Sequence, residues 1–296
     1  MTNALLQAEG ICKRYGDNEV LTNLDLTLFP GKIYGLIGRN GVGKTTLLGI
    51  LTGQNTMDAG SVTYEGQEVW ENQAALEQIC FARELQPTLG MGPNNLKVKH
   101  YLRSGAIFYP NWDQPYADKL LAEFKLDPKK KIAQLSKGQM SMLTILLALA
   151  SRAPLTILDE PVAGLDVVMR DRFYQLLLED FSTTNRTFVV STHILEEAAG
   201  VFDQVLILDR GRMIENAPTD ALLEQFRTVS GLAEAVDRAC MGVEVLSSQT
   251  MGRRKTCTVR SSPVKLAALE RENPELDVAG MNLQHVFIAL CGHGDV

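Results

Sequence analysis

Leu24, Leu26 and Leu28 alternate with Asp25 and Thr27, a period of two that predicts a half-buried strand, and Pro30-Gly31 ends it. The next apolar run, "KIYGLIG", is short and continuous, as in a strand buried on both faces. "GSVTYEGQEV" predicts two short strands about Glu65-Gly66. From about residue 90 to 150 the period lengthens: "LKVKHYLRSGAIF", "QPYADKLLAEFKL" and "QMSMLTILLALASR" read as helices broken at Pro110, Pro115 and Pro128. "LTILD", "RTFVVST" and "QVLILD" then return as strands separated by helical stretches, and "LDRGRMIE" as a hairpin. That alternation predicts an α/β fold with a mostly parallel sheet and crossover helices. Beyond about 230 the pattern is irregular, with a hairpin in "VEVLSSQTMGRRKTCTV" and short helices in "PVKLAALERE" and "LQHVFIAL". The expected organisation is a large domain over 1–228, its helical part at about 88–151, and a small α+β appendage over 229–296. No internal repeat or low-complexity tract interrupts it.

Composition changes this picture little. Hydrophobic residues make up 45% and charged residues 22% of the 296, ordinary for a globular chain with a substantial core. A net charge of −6 argues against a nucleic-acid partner held by bulk electrostatics. Cys12, Cys80, Cys240, Cys257 and Cys291 form no CxxC pair and read as free thiols of a reducing compartment. The first residues lack a basic-then-apolar leader pattern, and the longest apolar run, residues 142–150, is far short of the ~20 that span a bilayer. The expectation is a cytoplasmic chain that does not itself cross a membrane.

Candidate chemistry begins at residues 38–45, "GRNGVGKT", which match GxxxxGK[ST] between a predicted strand and a predicted helix. Gly38, Gly41 and Gly43 let the backbone curl, with Asn40 between them, so that N–H groups point inward at phosphate oxygens. The helix N-terminus adds partial positive charge. Lys44 is placed to reach β- and γ-phosphates, Thr45 to ligate Mg²⁺, and Thr46 to donate to the α-phosphate. "LTILDEP" ends a strand in Asp159-Glu160. Beside the loop, Asp159 would hold the Mg²⁺ shell and Glu160 would face an attacking water as general base. By itself the pair reads as an acidic cap. In "LSKGQ", Ser136 is first of all a helix N-cap; a hydroxyl and a glycine amide at a helix start also make a second anion site.

With these motifs in order, the chain resembles the ATP-binding-cassette ATPases over about residues 3 to 225, in particular the ATPase subunits of bacterial exporters whose membrane subunit is a separate chain. The resemblance implies a P-loop NTPase cassette with a mixed sheet core, an antiparallel β subdomain and a helical subdomain. It implies that Tyr15 stacks on adenine, that Ser136, Gly138 and Gln139 belong to the signature, that Asp166 closes the D-loop "AGLD", and that His193 contacts the γ-phosphate. Each signature would then close over the ATP held by a second copy, or by a similar ATPase. Three positions depart from the family pattern: Lys137 stands where Gly is usual, Ala163 where Ser is common, and Glu84, with Gln86 two residues on, where a metal-facing glutamine is expected. Lys137 would add charge near the γ-phosphate. The implied partner is a polytopic membrane subunit, with the chain peripheral on the inner face of the cell membrane. A soluble ATPase of the same fold, an importer ATPase and a non-hydrolysing scaffold are the competing readings. The appendage carries no motif, and reads as a packing or dimer-stabilising module or as a regulatory one.

Overall fold

The computed structural model describes residues 3–85, 96–195 and 197–292, which divide into two compact units, Met1–Asn216 and Ala217–Val296.

In the first unit, β1 (Leu6–Tyr15) and β2 (Asn18–Leu28) pair antiparallel, and β3 (Ile33–Ile37) follows with all five residues buried. The phosphate-type loop leads into α1 (Lys44–Leu51). β4 (Ala59–Tyr64) pairs with β1, and β5 (Gln67–Glu68) with β4, giving an antiparallel sheet in the order β2-β1-β4-β5. After the single turn α2 (Gln73–Leu76) comes β6 (Ile79–Arg83). Three helices follow: α3 (Val98–Phe108), α4 (Gln114–Glu123) and α5 (Lys137–Ala150). β7 (Leu155–Asp159), α6 (Val167–Thr184), β8 (Thr187–Thr192), β9 (Gln204–Asp209) and β10 (Arg212–Pro218) complete a six-stranded sheet in the order β10-β9-β3-β8-β7-β6. The pairs β9/β3, β3/β8, β8/β7 and β7/β6 are parallel. Parallel strands covered on both faces need continuous apolar runs, which is what β3, β7 and β8 carry. One apolar cluster joins Leu6, Ile11 and Leu24 of the antiparallel sheet, Leu47 and Leu51 of α1, and Ile157 and Leu206 of the parallel sheet. α1 is thereby fixed between two sheets, and the loop before it is anchored at both ends.

The second unit contains α7 (Thr219–Leu223), β11 (Phe226–Leu232), α8 (Ala233–Ala239), β12 (Glu244–Met251), β13 (Arg254–Arg260), α9 (Pro263–Glu272), β14 (Asp277–Gly280) and α10 (Leu283–Cys291). From β11 to β14 the order is β-α-β-β-α-β and the sheet order β12-β13-β11-β14, a split βαβ arrangement of antiparallel strands. Its core joins Val229, Val236, Cys257, Val259, Leu266 and Leu269. The expected boundary at 228/229 falls inside β11, whereas the two compact units part at Asn216/Ala217. All five cysteines are free. Among the described residues no helix is long and apolar enough to cross a membrane.

Candidate functional site

β3 ends at Ile37 and the chain turns through residues 38–43 into α1, whose N-cap is Gly43 at φ +108°. Gly41, at φ +81°, has open space around it, so glycine there serves the backbone conformation. At Gly38 space decides: a Cβ would stand 2.7 Å from the Leu208 carbonyl oxygen. The first turn of α1 carries no acid of its own; the carboxylates that approach its positive end come from the end of β7 and the residue after it.

Lys44 is buried. Its Nζ donates to the carbonyls of Gly38 (2.7 Å) and Arg39 (3.3 Å) and lies 3.4 Å from Glu160 Oε1. Thr45 Oγ1 donates to Asp159 Oδ2 at 2.7 Å. The parallel register sets Asp159 of β7 beside Ser191 of β8, and Ser191 Oγ donates to Asp159 Oδ1 while accepting the Glu160 N–H at 2.9 Å. Glu160 takes up φ +50°, a left-handed backbone that costs a non-glycine residue on the order of 1 kcal/mol or more. That turn directs its carboxylate back over the loop. Oε2 lies 2.8 Å from His193 Nδ1, and Oε1 is buried with no hydrogen-bond partner.

A pocket of about 290 Å³ is lined by Tyr15, Asn40, Gly41, Gly43, Lys44, Thr45, Thr46 and Glu160, with Val20. Tyr15 is half exposed at its rim, and Lys13 Nζ sits 5.3 Å from the ring centroid. Lys13 also pairs with Asp58 Oδ1 at 3.1 Å, which steadies the platform. The Arg14 N–H and Lys13 hold the Asp58 carboxyl below the ordinary carboxylate range.

Ser136, Gly138, Gln139 and Asp166 are not among the pocket's lining residues. Ser136 caps α5 in a reciprocal box: its Oγ accepts the Gln139 N–H (3.2 Å), and Gln139 Oε1 accepts the Ser136 N–H (3.1 Å). Asp166 caps α6 by accepting the Met169 N–H. The two segments touch, since Ser141 Oγ donates to the Ala163 carbonyl at 2.6 Å and a Cβ on Gly138 would meet the Gly164 carbonyl oxygen at 2.9 Å. Lys137, over Gly164, pairs with Glu84 Oε1 at 3.0 Å. Glu84 is therefore turned to Lys137, and Gln86 lies outside the described residues. Ser191 is the site residue that sequence reasoning missed; the polar end of the apolar run "TFVVST" was its one signal.

The donor set suits a nucleoside triphosphate with Mg²⁺. The glycine-rich loop, the buried Lys44 ammonium, the start of α1 and the Glu160 carboxylate line one pocket. Mg²⁺ prefers one or two carboxylates plus phosphates and water. The adjoining Thr45 hydroxyl and Asp159 carboxylate match that, and no cluster of three acids, histidines or cysteines able to hold a metal occurs among the described residues.

Residues 21–163 match the family described as ABC transporter. The chain is 25% identical over 291 residues to the ABC transporter ATP-binding protein YtrB of Bacillus subtilis (97% of this chain, 98% of the relative). It is 31% identical over 235 residues to the Nod factor export ATP-binding protein I of Burkholderia lata (76% and 74%). It is also 31% identical over 231 residues to the sulfate/thiosulfate import ATP-binding protein CysA of Bacillus cereus (74% and 63%). Among solved structures, one titled an ATP binding subunit of an ABC transporter aligns with TM-score 0.63 and 26% identity, covering 74% of this chain and 91% of that one.

Proposed function

This chain belongs to the ATP-binding subunits of ABC transporters and is an ATPase, and from that premise we propose that two copies close head to tail around two Mg-ATP to drive a separate polytopic membrane subunit of an exporter. The partner copy is a second chain of this sequence or a similar ATPase. In this reading the chain is cytoplasmic and peripheral on the inner face of the cell membrane.

Tyr15 stacks on adenine, and the amides of residues 38–46 with Lys44 hold the phosphates. Lys44 exchanges the carbonyls of Gly38 and Arg39 for phosphate oxygens, which are stronger partners for an ammonium. Thr45 and Asp159 hold Mg²⁺, which when bound neutralises charge on the phosphates. Glu160 accepts a proton from the attacking water, whose oxygen joins the γ-phosphorus as ADP leaves. His193 steadies the Glu160 carboxylate and the γ-phosphate. Ser136 and Gly138 of one copy face the γ-phosphate held by the other, with Asp166 at the seam. Glu84 would join the metal shell only by leaving Lys137.

The observation that carries the assignment of the base is the Glu160 carboxylate itself, which lines the phosphate-type pocket with Oε1 3.4 Å from Lys44 Nζ and Oε2 2.8 Å from His193 Nδ1. A Glu160→Gln variant should keep ATP affinity, lose roughly 100-fold or more in phosphate release, and accumulate as an ATP-dependent dimer in gel filtration. Normal turnover would remove Glu160 from the role. Export is favoured by the likeness to Nod factor export proteins, which covers 74% of the relative from Burkholderia lata; the likeness to the import protein CysA, over 63% of its length, supports the importer alternative.

A further inference from the structure

Two separated basic segments meet on the helical part of the first unit. Residues 97–103 contain Lys97, Lys99 and Arg103 and no acid, and residues 129–131 are three lysines. Lys97 and Lys131 are bridge partners, the Val98 N–H donates to the Lys130 carbonyl at 3.0 Å, and the Lys99 N–H donates to the Pro128 carbonyl at 3.0 Å. Cross-strand like charges are unfavourable, so this pairing concentrates charge against its own electrostatic cost. Among the described residues, no ion pair joins Lys97, Lys99, Arg103, Lys129 or Lys130 to an acid. Asp127, the acid beside them in sequence, is engaged with the Lys129 N–H. The whole chain is acidic, at −6, so the patch runs against its net charge.

The same surface is apolar at one end. α3 buries Val98, Leu102 and Gly105 and turns Lys99, Arg103 and Ile107 outward at spacings of four. Ile107 and the adjoining Phe108 are 73% and 71% exposed, two neighbouring apolar side chains beside the lysines.

We infer that this face of α3, with the lysines beside it, binds an anionic lipid surface. Exposed lysines beside protruding Ile and Phe side chains match an interface of phosphate headgroups over hydrocarbon. Lysine outnumbers arginine in the patch. Strongly hydrated point charges suit diffuse attraction to a charged surface, whereas forked guanidinium pairs suit the carboxylates of a protein partner. The inference rests on the reading that the chain works at a membrane.

Co-sedimentation of the full chain with vesicles tests it. The chain should pellet with phosphatidylcholine vesicles containing phosphatidylglycerol, stay in solution with phosphatidylcholine alone, and be released as salt rises. Each lysine at such a surface is worth roughly five-fold in partitioning, so Lys97→Gln/Lys99→Gln/Lys129→Gln/Lys130→Gln should weaken binding on the order of 600-fold. Its ATP turnover should be unchanged. Ile107→Ser/Phe108→Ser should weaken the binding that remains at high salt. Equal pelleting of the fourfold variant, or indifference to phosphatidylglycerol, overturns the inference. So does a fourfold variant that keeps its vesicle binding but no longer co-purifies a membrane protein, which would assign the patch to an acidic protein segment. Co-purification of a polytopic protein without vesicle binding would defeat this inference alone; absence of any such protein would defeat the transporter reading.

Discussion

Lys137 Nζ stands 3.0 Å from Glu84 Oε1, and both side chains are well exposed, at 59% and 40%. An exposed pair of this kind stabilises a fold by at most about 1 kcal/mol, so its place matters more than its strength. Glu84 follows Arg83, the register partner of Asp159, and Lys137 follows the Ser136 cap of α5. The pair ties the start of the signature helix to the strand beside the proposed metal ligand. Lys137→Glu and Glu84→Lys should each slow phosphate release, and the double exchange should recover most of the loss, while thermal stability moves by less than about 1 kcal/mol. Losses that simply add in the double variant would refute the coupling. In the sequence these two residues are separate departures from a family pattern, 53 positions apart (137 − 84), and nothing local announces that they meet. The loop residues 38–46 were legible because curling a backbone round phosphate demands glycines, a lysine and a hydroxyl at fixed spacing. Ser191 was not, because its hydrogen bonds to Asp159 and to the Glu160 N–H come from sheet register, which local spacing does not encode.

At the scale of elements, one buried acid holds four of them. Asp180 on α6 has a fully buried side chain and accepts from Arg186 Nε at 2.7 Å, at the entry to β8. It also accepts from Arg152 Nη1 at 2.6 Å, just past α5. Arg152 in turn pairs at 2.9 Å with Asp113, whose carboxylate caps α4. Removing one partner of a buried pair leaves a charge without compensation, at a cost of about 3–5 kcal/mol. Asp180→Ala should therefore lower the calorimetric midpoint of the first unit by roughly 6–20 °C for a unit of this size, and a shift below about 2 °C would show that the network relaxes around the loss. The order of strands and helices here was readable from periodicity, since β3, β7 and β8 must be apolar throughout. β1 escaped notice because Gly10, exposed charges and register shifts in its pairing with β2 break the alternation that marks a strand.

For the whole molecule, the division into two units changes where a stable fragment must begin. β11 is internal to its sheet, paired with both β13 and β14, and Phe226 at its start is fully buried. A chain begun at residue 229 loses Phe226, Arg227 and Thr228. The ladder positions these residues share with Arg260, Val259 and Thr258 go unfilled, and so do two shared with Gly280 and Ala279. It also loses α7, which packs on α10 and carries the buried Leu222. An internal strand cut this way leaves backbone donors and acceptors without partners in a domain too small to absorb the cost. The sequence alone does not mark "FRTVSGL" as a strand, because it mixes apolar and polar residues without a clean period and its neighbours in the sheet lie later in the chain. Residues 217–296 expressed alone should unfold cooperatively by circular dichroism on heating, and residues 229–296 should show no such transition. Two equally cooperative fragments would mean that the first half of β11 is dispensable, and two unfolded ones that the second unit depends on the first for its stability.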